Sequence, residues 1–210
     1  MGTRHVTMIF KDGDYTVAQY GQWDGYPEGQ GATILTFLRD KMDRDVFLTN
    51  LAKCRVITPE ELKALWVEAG MDPATSDGFV SMDVADRFRK ENFHLSRDMG
   101  GDILEYIQNS PNGLALRLDL AFAGDSLFCE WAYVVDFDKG TFEVYRGFNQ
   151  TPLADGERFC HLSSRETSTG ATYYPVRLAH SWPLAALPTD EDFINAFRVP
   201  EDEEDEETED

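Results

Sequence analysis

"VTMIFKDGDYTVAQYGQWDGYPEGQG", residues 6–31, decides how the fold is read. Two runs rich in β-branched and aromatic residues, 6–10 and 15–19, flank "KDGD". Asp12-Gly13 predicts a tight hairpin between them, because both residues reach positive φ at low cost. The next twelve residues, 20–31, hold four glycines, three aromatic rings, a proline and two carboxylates. Neither a strand interior nor a helix interior selects that mixture, so a loop is expected. From Ala32, "ATILTFLRDKM" places Ile34, Leu35 and Leu38 on one helical face.

Further along, "TPEELKALWVEAG" (58–70) reads as a helix with Thr58 as cap, Pro59 in the first turn and Glu61 completing a capping box. Its buried stripe is Leu62, Leu65, Trp66 and Ala69, and Gly70 ends it. "SMDVADRFRKENF" (81–93) is a second helix. "SRDMGGDILEYIQNS" (96–110) is a third, with Ser96 as cap and Ile103, Leu104 and Ile107 inward. Gly100 and Gly101 cost helix stability, which points to close backbone packing or an approach to a ligand.

The second half changes period. "LALRLDLAF" (114–122) alternates, with Leu114, Leu116, Leu118, Leu120 and Phe122 on one face. "LFCEWAYVVDF" and "TFEVYRGF" flank "DKG" as a hairpin. Residues 150–170 read as loop. "YYPVRLAHSW" reads as an edge strand, since Pro175 removes a ladder donor. "TDEDFINAF" is a short last helix. Strands and helices do not alternate regularly, which disfavours a parallel α/β fold. The expected class is α+β, antiparallel sheet packed with helices, in one domain over 1–199.

The formal charge is −20, and the tail "EDEEDEETED" carries nine of the 39 acids. Without it, 30 acids against 19 bases leave −11. The tail, 200–210, has the composition of a disordered segment. An acidic body is a poor nonspecific grip on nucleic-acid phosphates. It suits solubility, or a basic protein partner met by mimicry of nucleic acid. No apolar run reaches transmembrane length, and the N-terminus lacks a signal peptide's apolar stretch. A cytoplasmic, membrane-free protein is expected. Cys54, Cys129 and Cys160 are scattered, and His5, His94, His161 and His180 lack metal spacing. Neither a metal nor a cofactor is expected, and Cys129 reads as a small buried hydrophobe.

The 20–31 loop is the candidate site. Tyr20, Trp23 and Tyr26 offer rings with polar tips, and Gln22, Asp24 and Glu28 offer hydrogen bonds. A pocket in which the rings stack a ligand and Gln22 or Asp24 orients it is one reading. A rigid turn whose rings close the end of the core is the other. The helix beyond offers free amides to an anion, but no Gly-Lys-Ser/Thr follows, so this is no nucleoside-triphosphate loop. A second cluster, "HLSRDMGG", brings Arg97 and Asp98, with Arg97 a candidate partner for Asp24 or Glu28. Glu130, if inward, needs a partner such as Arg4.

The start "MGTR", a hairpin and then "YGQWDGYPEGQG" resemble a group of uncharacterised phage and microbial proteins. These carry a Met-Gly-Thr-Arg or Met-Cys-Thr-Arg type start and a Tyr-x-x-Trp/Phe-Asp-Gly/Ser-Tyr-Pro loop. "LSRDMGGDILEYI" and "DSLFCEWAYVVDFDKGTFEVY" look like parts of the same family, so the resemblance covers most of 1–150. It implies a phage or microbial setting, with host cytoplasm if phage-encoded, and no activity. The topology also resembles N-terminal-nucleophile hydrolases and their layers. That resemblance implies Thr3 as nucleophile, its free amine (ordinary pKa about 7.7–8.0) as base, Asp24 as orienter and Arg4 on a substrate carboxylate. The departure is Gly2, which precedes Thr3 and would have to be cleaved away.

The leading expectation is an accessory protein whose Trp-Asp-Gly-Tyr-Pro loop binds a small ligand or a protein without catalysis. The expected ligand contacts are Arg4, Tyr20, Gln22, Trp23, Tyr26 and Arg97. The alternatives are an amide hydrolase using Thr3 and Asp24, and an acidic mimic of nucleic acid bound to a basic protein.

Overall fold

The computed structural model describes residues 2–74 and 80–198; the expected disordered tail, 200–210, lies outside the described residues. β1 (His5–Lys11) and β2 (Asp14–Gly21) form the expected hairpin. Asp12 and Gly13 both take positive φ, +55° and +82°. Their amides donate to the Asp138 carboxylate at 2.9 and 2.8 Å, which ties this turn to the next hairpin. α1 (Ala32–Thr36) continues at both ends into wider turns, Pro27–Gly31 and Phe37–Lys41. α2 (Arg44–Leu51) follows, capped by Asp43, whose carboxylate accepts the Val46 amide at 3.1 Å.

A short strand β3 (Arg55–Val56) leads into α3 (Pro59–Glu68), where both halves of the capping box form. α4 (Met82–Glu91) is capped by Ser81. The third helix is shorter than its sequence suggests. α5 (Ile103–Gln108) is preceded by a tight turn over Gly100–Asp102, and Gly100 has φ +51°. Ser96 instead holds the Asp98 amide at 3.2 Å, seven residues before α5 begins.

The alternating run 114–122 is corrected most. Only β4 (Ala115–Leu116) is strand, paired with β3. Leu118 is exposed, and Leu120–Gly124 coils into a tight helical turn. Leucine alternation marks an apolar face, but ladder formation needs a partner strand with open hydrogen-bonding groups. Here 117–119 lies along β2 instead, with the Asp119 amide donating to the Ala18 carbonyl at 2.8 Å.

β5 (Trp131–Asp136) and β6 (Thr141–Arg146) form the second hairpin. The 150–170 segment is mostly loop, with a small pair, β7 (Arg165–Glu166) and β8 (Thr172–Tyr173). β9 (Arg177–Pro183) lies at the edge of the main sheet, and Pro175 falls just outside it. α6 (Asp190–Asn195) is capped by Thr189.

The main sheet has five strands in the order β2-β1-β5-β6-β9. The class is α+β. The sheet is mixed, however: β1 and β5 run parallel while the other neighbours are antiparallel. A parallel pair needs a long crossover, and the helices between β2 and β5 supply it. One sheet face packs Ile9, Val17, Tyr133, Val135, Phe142 and Val144 against α1, α2, α5 and α6. The other packs Val6, Met8, Ala132, Val134 and Tyr145 against Leu120, Phe122, Phe159 and Val176, with Cys129 buried there as the sequence suggests. α3 and α4 enclose a smaller core around Phe88, Val84 and Leu95. Among the described residues no helix is long and apolar enough to cross a membrane.

Candidate functional site

The 20–31 loop turns back over the start of the chain. The Gly25 amide donates to the Thr3 carbonyl at 2.9 Å, and the buried Tyr133 hydroxyl donates to the Gly25 carbonyl at 2.7 Å. Gly2 lies beneath Trp23: a Cβ there would sit 2.3 Å from the indole and 2.5 Å from the Gln22 carbonyl oxygen. Thr3 is thus stitched beside Gly25, next to Asp24. Asp24 has φ +53° and accepts the Tyr26 hydroxyl at 3.3 Å, with both side chains exposed.

The amides beyond the loop are not open to an anion. Gln30 N–H goes to the Asp24 carbonyl at 2.8 Å, and Gly29 N–H to the Tyr26 carbonyl at 3.0 Å. The amides that the sequence offers to an anion at this helix start are therefore taken by the loop's own carbonyls.

The loop and the "HLSRDMGG" cluster form one unit. Gln19 Nε2 donates to the Ser96 carbonyl at 3.0 Å, the Gln22 amide to the Arg97 carbonyl at 2.9 Å, and Trp23 Nε1 to Asp98 Oδ1 at 2.9 Å. Asp98 Oδ2 in turn accepts Arg89 Nη1 at 2.9 Å, and Arg89 also pairs with Asp86. The expected ion pair from Arg97 to Asp24 or Glu28 does not form; hydrogen bonds, not an ion pair, join the two segments. No hydrogen bond or ion pair connects Asp24, Arg97 and Glu130. Glu130 does meet Arg4, accepting its amide at 3.2 Å, with the Arg4 guanidinium 4.5 Å over the Phe128 ring.

Beside this unit lies a cleft of about 690 Å³ between β2 and the α3–α4 pair. Its lining includes Tyr20, Arg97 and Arg117 and, from the helix pair, Trp66, Phe88 and Arg89. Trp66 and Phe88 are stacked 3.7 Å apart and nearly parallel; Phe88 is almost wholly buried, so Trp66 is the ring open to the cleft. The Tyr20 hydroxyl donates to Gln22 Oε1 at 2.6 Å. Burial and the Asp119 carboxylate raise the Tyr20 pKa, while the guanidiniums of Arg4, Arg97 and Arg117 pull it down. Among the sequence candidates, the structure brings Tyr20, Gln22, Trp23 and Arg97 together, with Arg4 near enough to act on Tyr20. It leaves Asp24 and Tyr26 on the outer side of the loop and Thr3 beneath it.

Arg117, Trp66 and Phe88 were not candidates from sequence; Asp98 was noted beside Arg97 but not as a ligand contact. Arg117 and Asp119 are the polar positions of "LALRLDL", Trp66 reads only as part of a buried helix stripe, and Phe88 lies in a helix with no face assigned from sequence. A second depression, about 380 Å³ and lined by Arg55, Glu61 and His94, has its charges closed by the Arg55–Glu61 pair at 2.7 Å. Among the described residues no three His, Cys, Asp or Glu side chains gather as a metal site would require. The chain matches no protein-family model, no curated protein and no solved structure.

Proposed function

We propose that this chain is a non-catalytic binding protein, and that the cleft braced by the Trp-Asp-Gly-Tyr-Pro loop takes a small ligand with a flat apolar part. The observation that carries the reading is the cleft itself. Its volume of about 690 Å³ falls in the range of small-molecule sites, and apolar walls meet a few convergent polar groups there. Trp23 supports the rim from outside through Asp98. This assigns the loop a bracing role and moves ligand contact to Tyr20, Arg97 and the Trp66 ring. The phage or microbial setting implied by the "MGTR" and "WDGYP" segments suits an accessory binding role.

A neutral fluorescent probe, N-phenyl-1-naphthylamine, tests the proposal. Its emission is expected to rise with the wild-type protein. It should be lost in Ala85→Trp, which fills the cleft from α4, and weakened in Trp23→Ala. A wild-type signal that survives Ala85→Trp undiminished, or no signal at all, would remove the cleft as the binding site.

A further inference from the structure

Thirty-nine acidic side chains against nineteen basic ones make an unpaired arginine unusual in this protein. Most of its arginines are engaged. Arg39, Arg55, Arg89, Arg158, Arg165 and Arg177 sit in ion pairs. Arg44 and Arg146 lie over aromatic rings, and Arg87 donates to the Ala69 carbonyl. Arg97, like Arg198, does none of these: among the described residues its side chain has no ion pair, hydrogen bond or ring contact, and of the two Arg97 lines the cleft.

Its neighbour Arg117 is held in a different way. Nε and Nη2 grip Asp119 at 2.7 and 2.9 Å, which fixes the guanidinium plane. Nη1 has no hydrogen-bond partner among the described residues. The arginines that line the cleft therefore differ in how far their charge is matched. Arg89 is spent on Asp86 and Asp98. Arg97 and the open edge of Arg117 line the cleft together with Tyr20. The guanidinium of Arg117, held by Asp119 and partly buried, loses little freedom on donating to an oxyanion, and the exposed Arg97 adds a second cation with a full set of donors.

We infer that the ligand of this cleft is an organic anion, an oxyacid group attached to a flat apolar body. The oxyacid oxygens meet Arg97 and Arg117 beside Tyr20, and the apolar body lies against the Trp66 ring. This rests on the small-ligand reading of the cleft and specifies its chemistry. The protein's overall negative charge opposes approach of any anion, so the local cations act as the selecting feature against neutral ligands of the same shape.

The test pairs two probes of similar ring structure, 8-anilinonaphthalene-1-sulfonate and the uncharged N-phenyl-1-naphthylamine, titrated into wild type, Ala85→Trp, Arg97→Gln and Arg97→Lys. Wild type is expected to bind the sulfonate more tightly than the neutral probe. Arg97→Gln should weaken the sulfonate by roughly tenfold or more, the scale of one lost bond to a charged group, and leave the neutral probe unchanged. Arg97→Lys should recover part of the loss. Preference for the neutral probe, or an equal effect of Arg97→Gln on both, overturns the anion assignment while the cleft stands. Binding of both probes that is indifferent to Ala85→Trp overturns the cleft reading itself.

Discussion

At the residue scale, His5 is the most exacting position. It points from β1 into the layer beneath the loop, fully buried. Gly21 makes room for it: a Cβ there would lie 2.0 Å from the imidazole. Gly25 crowds its other side, with a Cβ position 2.9 Å from Nδ1, and Tyr133 meets it edge-on at 6.2 Å. Neither ring nitrogen has a hydrogen-bond partner among the described residues. Burial lowers its pKa from 6.5 to about 3, so the folded protein holds it neutral. An unfolded chain takes up the proton near 6.5. Stability is therefore whole above that pH and declines as the pH falls toward the folded value. Urea midpoints at pH 7 and pH 5 should show wild type losing about 2 kcal/mol more than His5→Gln, at about 1.4 kcal/mol per unit below 6.5. The subtraction cancels the carboxylates common to both proteins. Equal losses would show that His5 does not titrate out of a neutral buried state.

At the element scale, α3 illustrates a helix that local chemistry starts and weak packing keeps. The Glu61 amide donates to Thr58 Oγ1 at 3.1 Å, and the Thr58 amide donates to Glu61 Oε2 at 2.9 Å. Yet no residue of α3 is fully buried; Leu62, Leu65 and Trp66 are only partly covered. Thr58→Ala should cost about 1 kcal/mol. It should be read first as faster amide exchange along α3, because a lightly packed element opens below the global free energy. An unchanged exchange rate would mean that the Trp66–Phe88 stack alone holds the helix. The capping box was legible because all of its parts lie within four residues. The strand expected over 114–122 was not, because whether leucine alternation becomes ladder or coil depends on which backbone lies opposite.

At the scale of the whole molecule, the 150–170 segment is fastened to the sheet by the buried Phe159 ring and by one buried arginine. Arg158 Nε donates to Glu143 Oε2 at 2.7 Å and Nη2 pairs with Asp136, while the Tyr145 hydroxyl donates to the same Glu143 oxygen at 2.6 Å. Asp136 is fully buried and Glu143 nearly so. Removing the cation leaves two carboxylates inside the protein without it. Arg158→Met should therefore cost on the order of 3–5 kcal/mol, measured by urea unfolding. A loss under about 1 kcal/mol would mean that the carboxylates find water or protons at little cost.

Hairpin turns, helix caps and the change from helical to strand period were written in short stretches, because backbone conformation and local hydrogen bonding act over a few residues. Asp12-Gly13, Thr58–Glu61 and Thr189 are of this kind. The sequence also marked residues 20–31 and 96–101 as unusual. Tertiary structure alone decided that β1 and β5 run parallel and that 117–119 lies along β2. It alone showed that Trp23 reaches Asp98 and that Arg97 and Arg117 flank Tyr20. Those outcomes depend on which surfaces the helical crossover brings together, and the pairing of distant charges and faces is fixed by packing the whole chain at once.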